Sequence, residues 1–103
     1  MVSRREKLEG MLQTSPADPM LRYMLALELE KEGEAERSLT LLNSLMQDVP
    51  AYVPAFLMAG QKLARLGRVE DARACYSAGI KEAQQQNNSH AAGEMAGFLA
   101  SLE

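Results

Sequence analysis

The sequence predicts an all-α fold, an α-solenoid of antiparallel helix pairs with about six helices, from three observations. Apolar residues recur at helical spacing along nearly the whole chain, and no segment alternates with the period of two that a strand requires. Glycine and proline return at one interval: Gly33 and Gly67 are 34 residues apart, and so are Pro16 and Pro50. The pairs Ala35 and Val69, Leu29 and Leu63, and Leu42 and Tyr76 match similar residues at that same offset. A period of this length with two helices per unit is an internal repeat whose units stack.

Each helix can be justified in order. Ser3-Arg4-Arg5-Glu6 reads as a capping box opening a helix that runs to about Gln13 and buries Leu8, Met11 and Leu12. Asp18 caps a second helix, and Pro19 takes its first position, where a missing N–H costs nothing. This helix ends at Gly33, with Lys31 in its last turn and Leu21, Leu25 and Leu29 along one side. Glu34 stands at the positive end of a third helix carrying Leu39, Leu42, Leu45 and Met46 before Pro50 stops it. Pro54 starts the fourth, with Phe56, Ala59, Gly60, Leu63 and Leu66 as the expected buried face and Gly67 after its end. The fifth presents Ala72, Tyr76, Gly79 and Ile80, and the polar run QQQNNSH interrupts the pattern. The last helix, from about His90, gathers Met95, Phe98, Leu99 and Leu102 on one face and leaves Gly93, Ala96, Gly97 and Ala100 on the other.

Composition bounds the function. The chain has 103 residues, 47% hydrophobic and 24% charged, which fits one small globular domain and excludes a disordered segment. Aromatics are 5% with no Trp, so the core must come from Leu, Ala and Met between closely spaced helices. Net charge is −3 and the 11 basic residues are dispersed, so no positive stripe offers itself to nucleic acid. The start MVSRREKLEG has no apolar signal region, the single cysteine cannot form an internal disulfide, and no apolar run approaches the roughly 20 residues of a membrane span. A cytoplasmic protein without a membrane partner is expected.

Laid out by period, the residues resemble a tetratricopeptide repeat (TPR), whose pattern runs W-x₂-L-G-x₂-Y, then A-x₃-F, then P. Phe56-x₂-Ala59-Gly60-x₂-Leu63 stands for the first part and Ala72-x₃-Tyr76-x₂-Gly79 for the second. The preceding unit is looser, with Leu25-Ala26-x₂-Leu29, then Ser38-x₃-Leu42-x₂-Leu45 and Pro50, and with Arg22 where the aromatic should be. In the opening helix Leu8, Met11, Leu12 and Pro16 fall in phase with Leu42, Leu45, Met46 and Pro50. The resemblance implies one domain over residues 1–103: a half repeat at 3–16, full repeats at 19–52 and 53–86, and a terminal helix at 90–102 that needs two extra loop residues to fall in phase. Gly60 and Ala72 then sit where the helices of one unit cross, and Gly79 where the next helix leans on them.

No residue pattern points to catalysis, to a cofactor or to a metal site. His90 is the single histidine, no CxxC or HxxxH spacing occurs, and Cys75 lies between Ala74 and Tyr76 as a small helical hydrophobe without a base in sequence reach. Glu28, Glu30, Glu32, Glu34 and Glu36 alternate with Lys31 and Arg37 and read as a solvated face. Gly93-x₃-Gly97 is a weak sign of helix contact.

In this family the inner faces of the first helices form a groove that holds a peptide or a helix. By spacing, that face carries Met20, Tyr23, Met24, Leu27 and Lys31 from one unit and Leu57, Met58, Gln61, Ala64 and Arg65 from the next. The peptide-binding candidates are therefore Met20, Tyr23, Met24, Leu27, Leu57, Met58, Gln61 and Arg65. Some members hold a C-terminal carboxylate there with Lys and Asn; Tyr23, Leu27 and Met58 occupy the corresponding positions, so that clamp is missing. A Met-rich apolar strip suits an adaptable apolar partner, and the bland alternative is that these residues pack within the domain. The expectation is a non-enzymatic scaffold for a protein or peptide partner, with a homodimer through the terminal helices as the alternative.

Overall fold

Ser3 and Glu6 open the first helix as the sequence requires: the Ser3 hydroxyl accepts from the Glu6 N–H at 3.1 Å, and the Glu6 carboxylate accepts from the Ser3 N–H at 3.2 Å. The structure is a computed structural model that describes residues 2–102; Met1 and Glu103, the ends of the expected domain, lie outside the described residues. Among the described residues six helices follow in order: α1 Arg4–Thr14, α2 Pro19–Lys31, α3 Ala35–Met46, α4 Val53–Arg65, α5 Val69–Gln85 and α6 Ser89–Ser101. They fall into two compact units, Met1–Asp48 and Val49–Glu103.

The turns that separate paired helices have one construction. Gly33 adopts φ +81° and Gly67 φ +79°, the left-handed region that a side chain disfavours. Behind each, the next N–H returns to the helix, Glu34 to the Leu29 carbonyl and Arg68 to the Leu63 carbonyl, both at 2.9 Å. Asn87, at φ 60°, closes α5 the same way, with the Asn88 N–H donating to the Ala83 carbonyl at 2.8 Å. Asparagine tolerates this conformation, which is why a turn forms inside the polar run without glycine.

In the first unit α1 packs on α2 and α2 on α3. Leu8, Leu25 and Leu29 form a buried cluster against which Leu12, Leu21, Met24 and Leu41 rest. Leu42 and Leu45 are fully buried. Ala26 and Ser38 are the small residues at the α2–α3 contact, and the Ser38 hydroxyl donates to the Ala26 carbonyl at 2.7 Å, so its burial leaves no polar group unsatisfied. Two expectations fail here. Met11 is exposed, because α1 turns a narrow stripe to α2 that Leu8 and Leu12 fill. The glutamates of α2 are not all solvated: Glu28 is half-buried between Arg4 at 3.2 Å and Lys31 at 3.6 Å, and Glu32 lies 3.5 Å from Arg5.

The second unit packs α4 on α5 and α5 on α6. Phe56, Ala59, Gly60, Ala72, Tyr76, Gly79, Ala83 and Met95 are buried. A Cβ on Gly60 would lie 2.7 Å from Tyr76 Cζ, and a Cβ on Gly79 would lie 2.5 Å from both Met95 Sδ and Phe56 Cβ. At those two glycines a neighbouring side chain lies directly against the backbone, so any side chain there would displace it. On α4 the expected Phe56, Ala59 and Gly60 are buried, whereas Leu63 is half-buried and Leu66 exposed, and Val53, Ala55 and Lys62 are buried in addition. α6 begins 36 residues after α4, whereas α4 begins 34 after α2. The extra residues are helical rather than loop, because α5 runs for 17 residues against 12 in α3.

Candidate functional site

Small residues on α5 bring α4 and α6 near enough to frame an open cavity in the second unit. Its volume is about 320 Å³. α4 contributes Gln61, Ala64 and Arg65, α6 contributes Phe98, Ser101 and Leu102, and Tyr76 of α5 reaches in between them. Tyr76 and Phe98 form the aromatic wall, their rings stacked with centroids 5.9 Å apart and planes 16° from parallel. Tyr76 is buried and anchored over Gly60, whereas Phe98 keeps 38% of its surface exposed. Ser101 is held in place by donating to the Phe98 carbonyl at 2.7 Å. Burial pushes the Tyr76 phenol above its ordinary range, a push that Cys75 reinforces and the Arg65 guanidinium partly opposes. Arg65 itself is exposed at the end of α4.

The eight candidate residues fall into two sets. Gln61 and Arg65 line the cavity, and Leu57, one turn before Gln61, lies half-buried on that side of α4 with Met58 next to it. In the first unit Met20 is exposed, Tyr23 and Leu27 are half-buried, and Met24 rests on the leucine cluster. Tyr76, Phe98, Ser101 and Leu102 line the cavity without being among the eight candidates. The spacing of Phe98 and Leu102 was the available signal, since residues four apart share a helix face. It marked an apolar face without telling a packed one from an open one.

The groups with reactive potential are occupied otherwise. Cys75 donates to the Phe56 carbonyl at 3.3 Å, and burial raises its thiol from 9.0 to about 11, so it is a neutral thiol near pH 7. His90 is solvent-facing, 3.7 Å from Glu94. Among the described residues no group of three His, Cys, Asp or Glu side chains is placed to hold a metal ion, and no helix is long and apolar enough to cross a membrane.

Comparison with known proteins agrees with this architecture. No family model matches the sequence, and no curated protein matches it. Solved structures do match. The solution structure of a tetratricopeptide repeat domain protein from Salinibacter ruber is similar with a TM-score of 0.78 and 33% identity, over 82% of this chain and 86% of that one. A crystal structure of the tetratricopeptide repeat domain protein from that organism gives a TM-score of 0.74 and 32% identity over 81% of this chain and 93% of that one. A protein from Bordetella parapertussis, solved in solution, gives a TM-score of 0.79 at 25% identity over 97% of this chain and 87% of that one. Helix pairs with glycine-ended first helices, small residues at their crossings and this likeness have one reading: the chain belongs to the tetratricopeptide repeat family.

Proposed function

We propose that the chain is a non-enzymatic interaction scaffold that binds an apolar or amphipathic segment of another protein on the concave face of its repeats. The tetratricopeptide fold suggests a protein-interaction scaffold, and such domains are generally non-enzymatic. The observation that carries the reading is the cavity between α4 and α6, with one exposed ring and a polar rim of Gln61, Arg65 and Ser101. An aromatic wall with a few convergent polar groups is the usual make-up of a binding pocket. The reading takes residues 1–103 as one domain with repeats at 19–52 and 53–86, supported by helices that start 34 residues apart at Pro19 and Val53. It also includes a cytoplasmic setting, supported by the single cysteine.

The test is affinity capture from native extract with the wild-type chain and with charge placed on the candidate face. Tyr23→Glu and Leu57→Lys should each weaken a captured partner by about 2 kcal/mol or more if those side chains are central anchors, and Glu36→Gln should change little. Each variant is checked for helicity. An unfolded Leu57→Lys assigns that side chain to packing; folded variants that bind normally remove the inner face from consideration.

A second reading, self-association, has its own observation. Gly93, Ala96, Gly97 and Ala100 are exposed on α6, with nothing within 4 Å of a Cβ built at either glycine. Sedimentation at several concentrations separates the readings, because self-association requires a dimer.

A further inference from the structure

The methionines from Met11 to Met95 divide by what surrounds their sulfur. Met95 is fully buried, and its Sδ lies 2.5 Å from where a Cβ on Gly79 would be, so the thioether is pressed against the backbone of α5 with no room for an added oxygen. Met24 rests half-buried on the leucine cluster of the first unit, and Met46 and Met58 are half-buried too. Met11 and Met20 stand apart, with 48% and 60% of their surface exposed. Their places differ. Met11 faces outward from α1, whose packed stripe is Leu8 and Leu12. Met20, in the first turn of α2, precedes Tyr23, Met24 and Leu27 by three, four and seven residues, the spacing of one helix face. The candidate strip of α2 therefore begins at the most exposed of these thioethers.

We infer that Met20 is a reversible oxidation site whose sulfoxide turns the α2 strip from apolar to polar and releases the partner. This rests on the interaction-scaffold reading above and gives it a means of regulation. With hydrogen peroxide as oxidant, a lone pair of the Met20 Sδ attacks one peroxide oxygen and the O–O bond breaks. The products are the sulfoxide and water, the sulfur losing the two electrons that the peroxide gains. A dithiol, acting through the methionine sulfoxide reductases, removes the oxygen as water and becomes a disulfide. The sulfoxide oxygen is a hydrogen-bond acceptor that an apolar partner segment buries unpaired, so binding weakens. The fold is undisturbed, since Met20 packs little of its surface within the domain. Cys75 competes poorly for the oxidant: it is half-buried, donates to the Phe56 carbonyl, and as a neutral thiol is a weak nucleophile.

The experiment treats the full chain with graded hydrogen peroxide and maps each methionine from Met11 to Met95, with Cys75, by peptide mass spectrometry. In parallel it follows binding of fluorescent peptides enriched on the untreated chain from a displayed random library. Sulfoxide should appear first at Met20 and Met11 and last at Met95, with helicity unchanged while Met95 stays reduced. Probe binding should fall roughly tenfold in step with Met20 oxidation, and should return on treatment with the two epimer-specific sulfoxide reductases and a dithiol. Met11→Leu should leave that fall intact and Met20→Leu should remove it. Met20→Gln should bind, without peroxide, as weakly as the oxidised wild type. Met20 oxidised no faster than Met95, a fall that persists in Met20→Leu, or binding unchanged with Met20 fully oxidised overturns the inference. If Leu27→Lys then still abolishes binding with helicity kept, the scaffold reading stands and only this inference falls. If no peptide is enriched, both fall.

Discussion

The Arg22 guanidinium grips both carboxylate oxygens of Asp48, tying the first turn of α2 to the segment that follows α3. The same group donates to the Ala17 carbonyl at 3.0 Å and to the Ser44 hydroxyl at 3.4 Å. Phe56 holds the corresponding place one repeat later, so the first unit does with a fork of hydrogen bonds what the second does with a ring. The Arg22 side chain is only 14% exposed, which makes the pair sensitive to loss of one member. Asp48→Ala should destabilise by about 2–3 kcal/mol in chemical denaturation, because it leaves a mostly buried cation unpaired. Arg22→Lys should recover little, since an ammonium cannot span both oxygens and the Ala17 carbonyl.

Glycines that look alike in sequence should respond oppositely. Gly60→Ala puts a Cβ into the Tyr76 ring and should cost about 1–3 kcal/mol by overpacking. Gly93→Ala and Gly97→Ala meet nothing within 4 Å and should raise stability by up to about 1 kcal/mol each through helix propensity. Thermal melts of the three variants check this, and a tolerated Gly60→Ala would contradict the close crossing.

Cys75 gives a pH signature. Its thiol is raised in the folded protein to about 11 from 9.0, so the neutral form favours folding. The contribution is fully present below pH 9 and is lost as pH rises through the folded value near 11. Denaturation midpoints should therefore fall across that window, and Cys75→Ser should flatten the fall. Near pH 7 a maleimide should label Cys75 slowly until denaturant exposes it.

Much of this fold is legible in the sequence because its determinants are local. Asp18-Pro19, the Ser3–Glu6 box, and Gly33 and Gly67 mark helix ends by steric and hydrogen-bonding rules that need no tertiary knowledge. The period of 34 then supplies the pairing, and Gly60, Ala72 and Gly79 the close contacts. What the sequence hides depends on which flank of a helix faces its neighbour. Leu66 is exposed and Lys62 buried, against their side-chain chemistry. Arg22 and Asp48 are 26 residues apart, and nothing in their spacing announces a pair. The cavity wall was equally hidden: Phe98 and Leu102 read as core by periodicity, and their partial exposure follows from where α6 docks on α5.

The cavity between α4 and α6 as the seat of a partner is tested most directly by amide chemical-shift mapping with a peptide from a partner captured by the wild-type chain. Titration should move the amides of Gln61, Ala64, Arg65, Phe98 and Ser101 together, on one binding curve, with Gly93, Gly97 and the α1 amides unchanged. Shifts confined to Gly93, Ala96 and Gly97, or to α2 alone, with the cavity amides still, would contradict it.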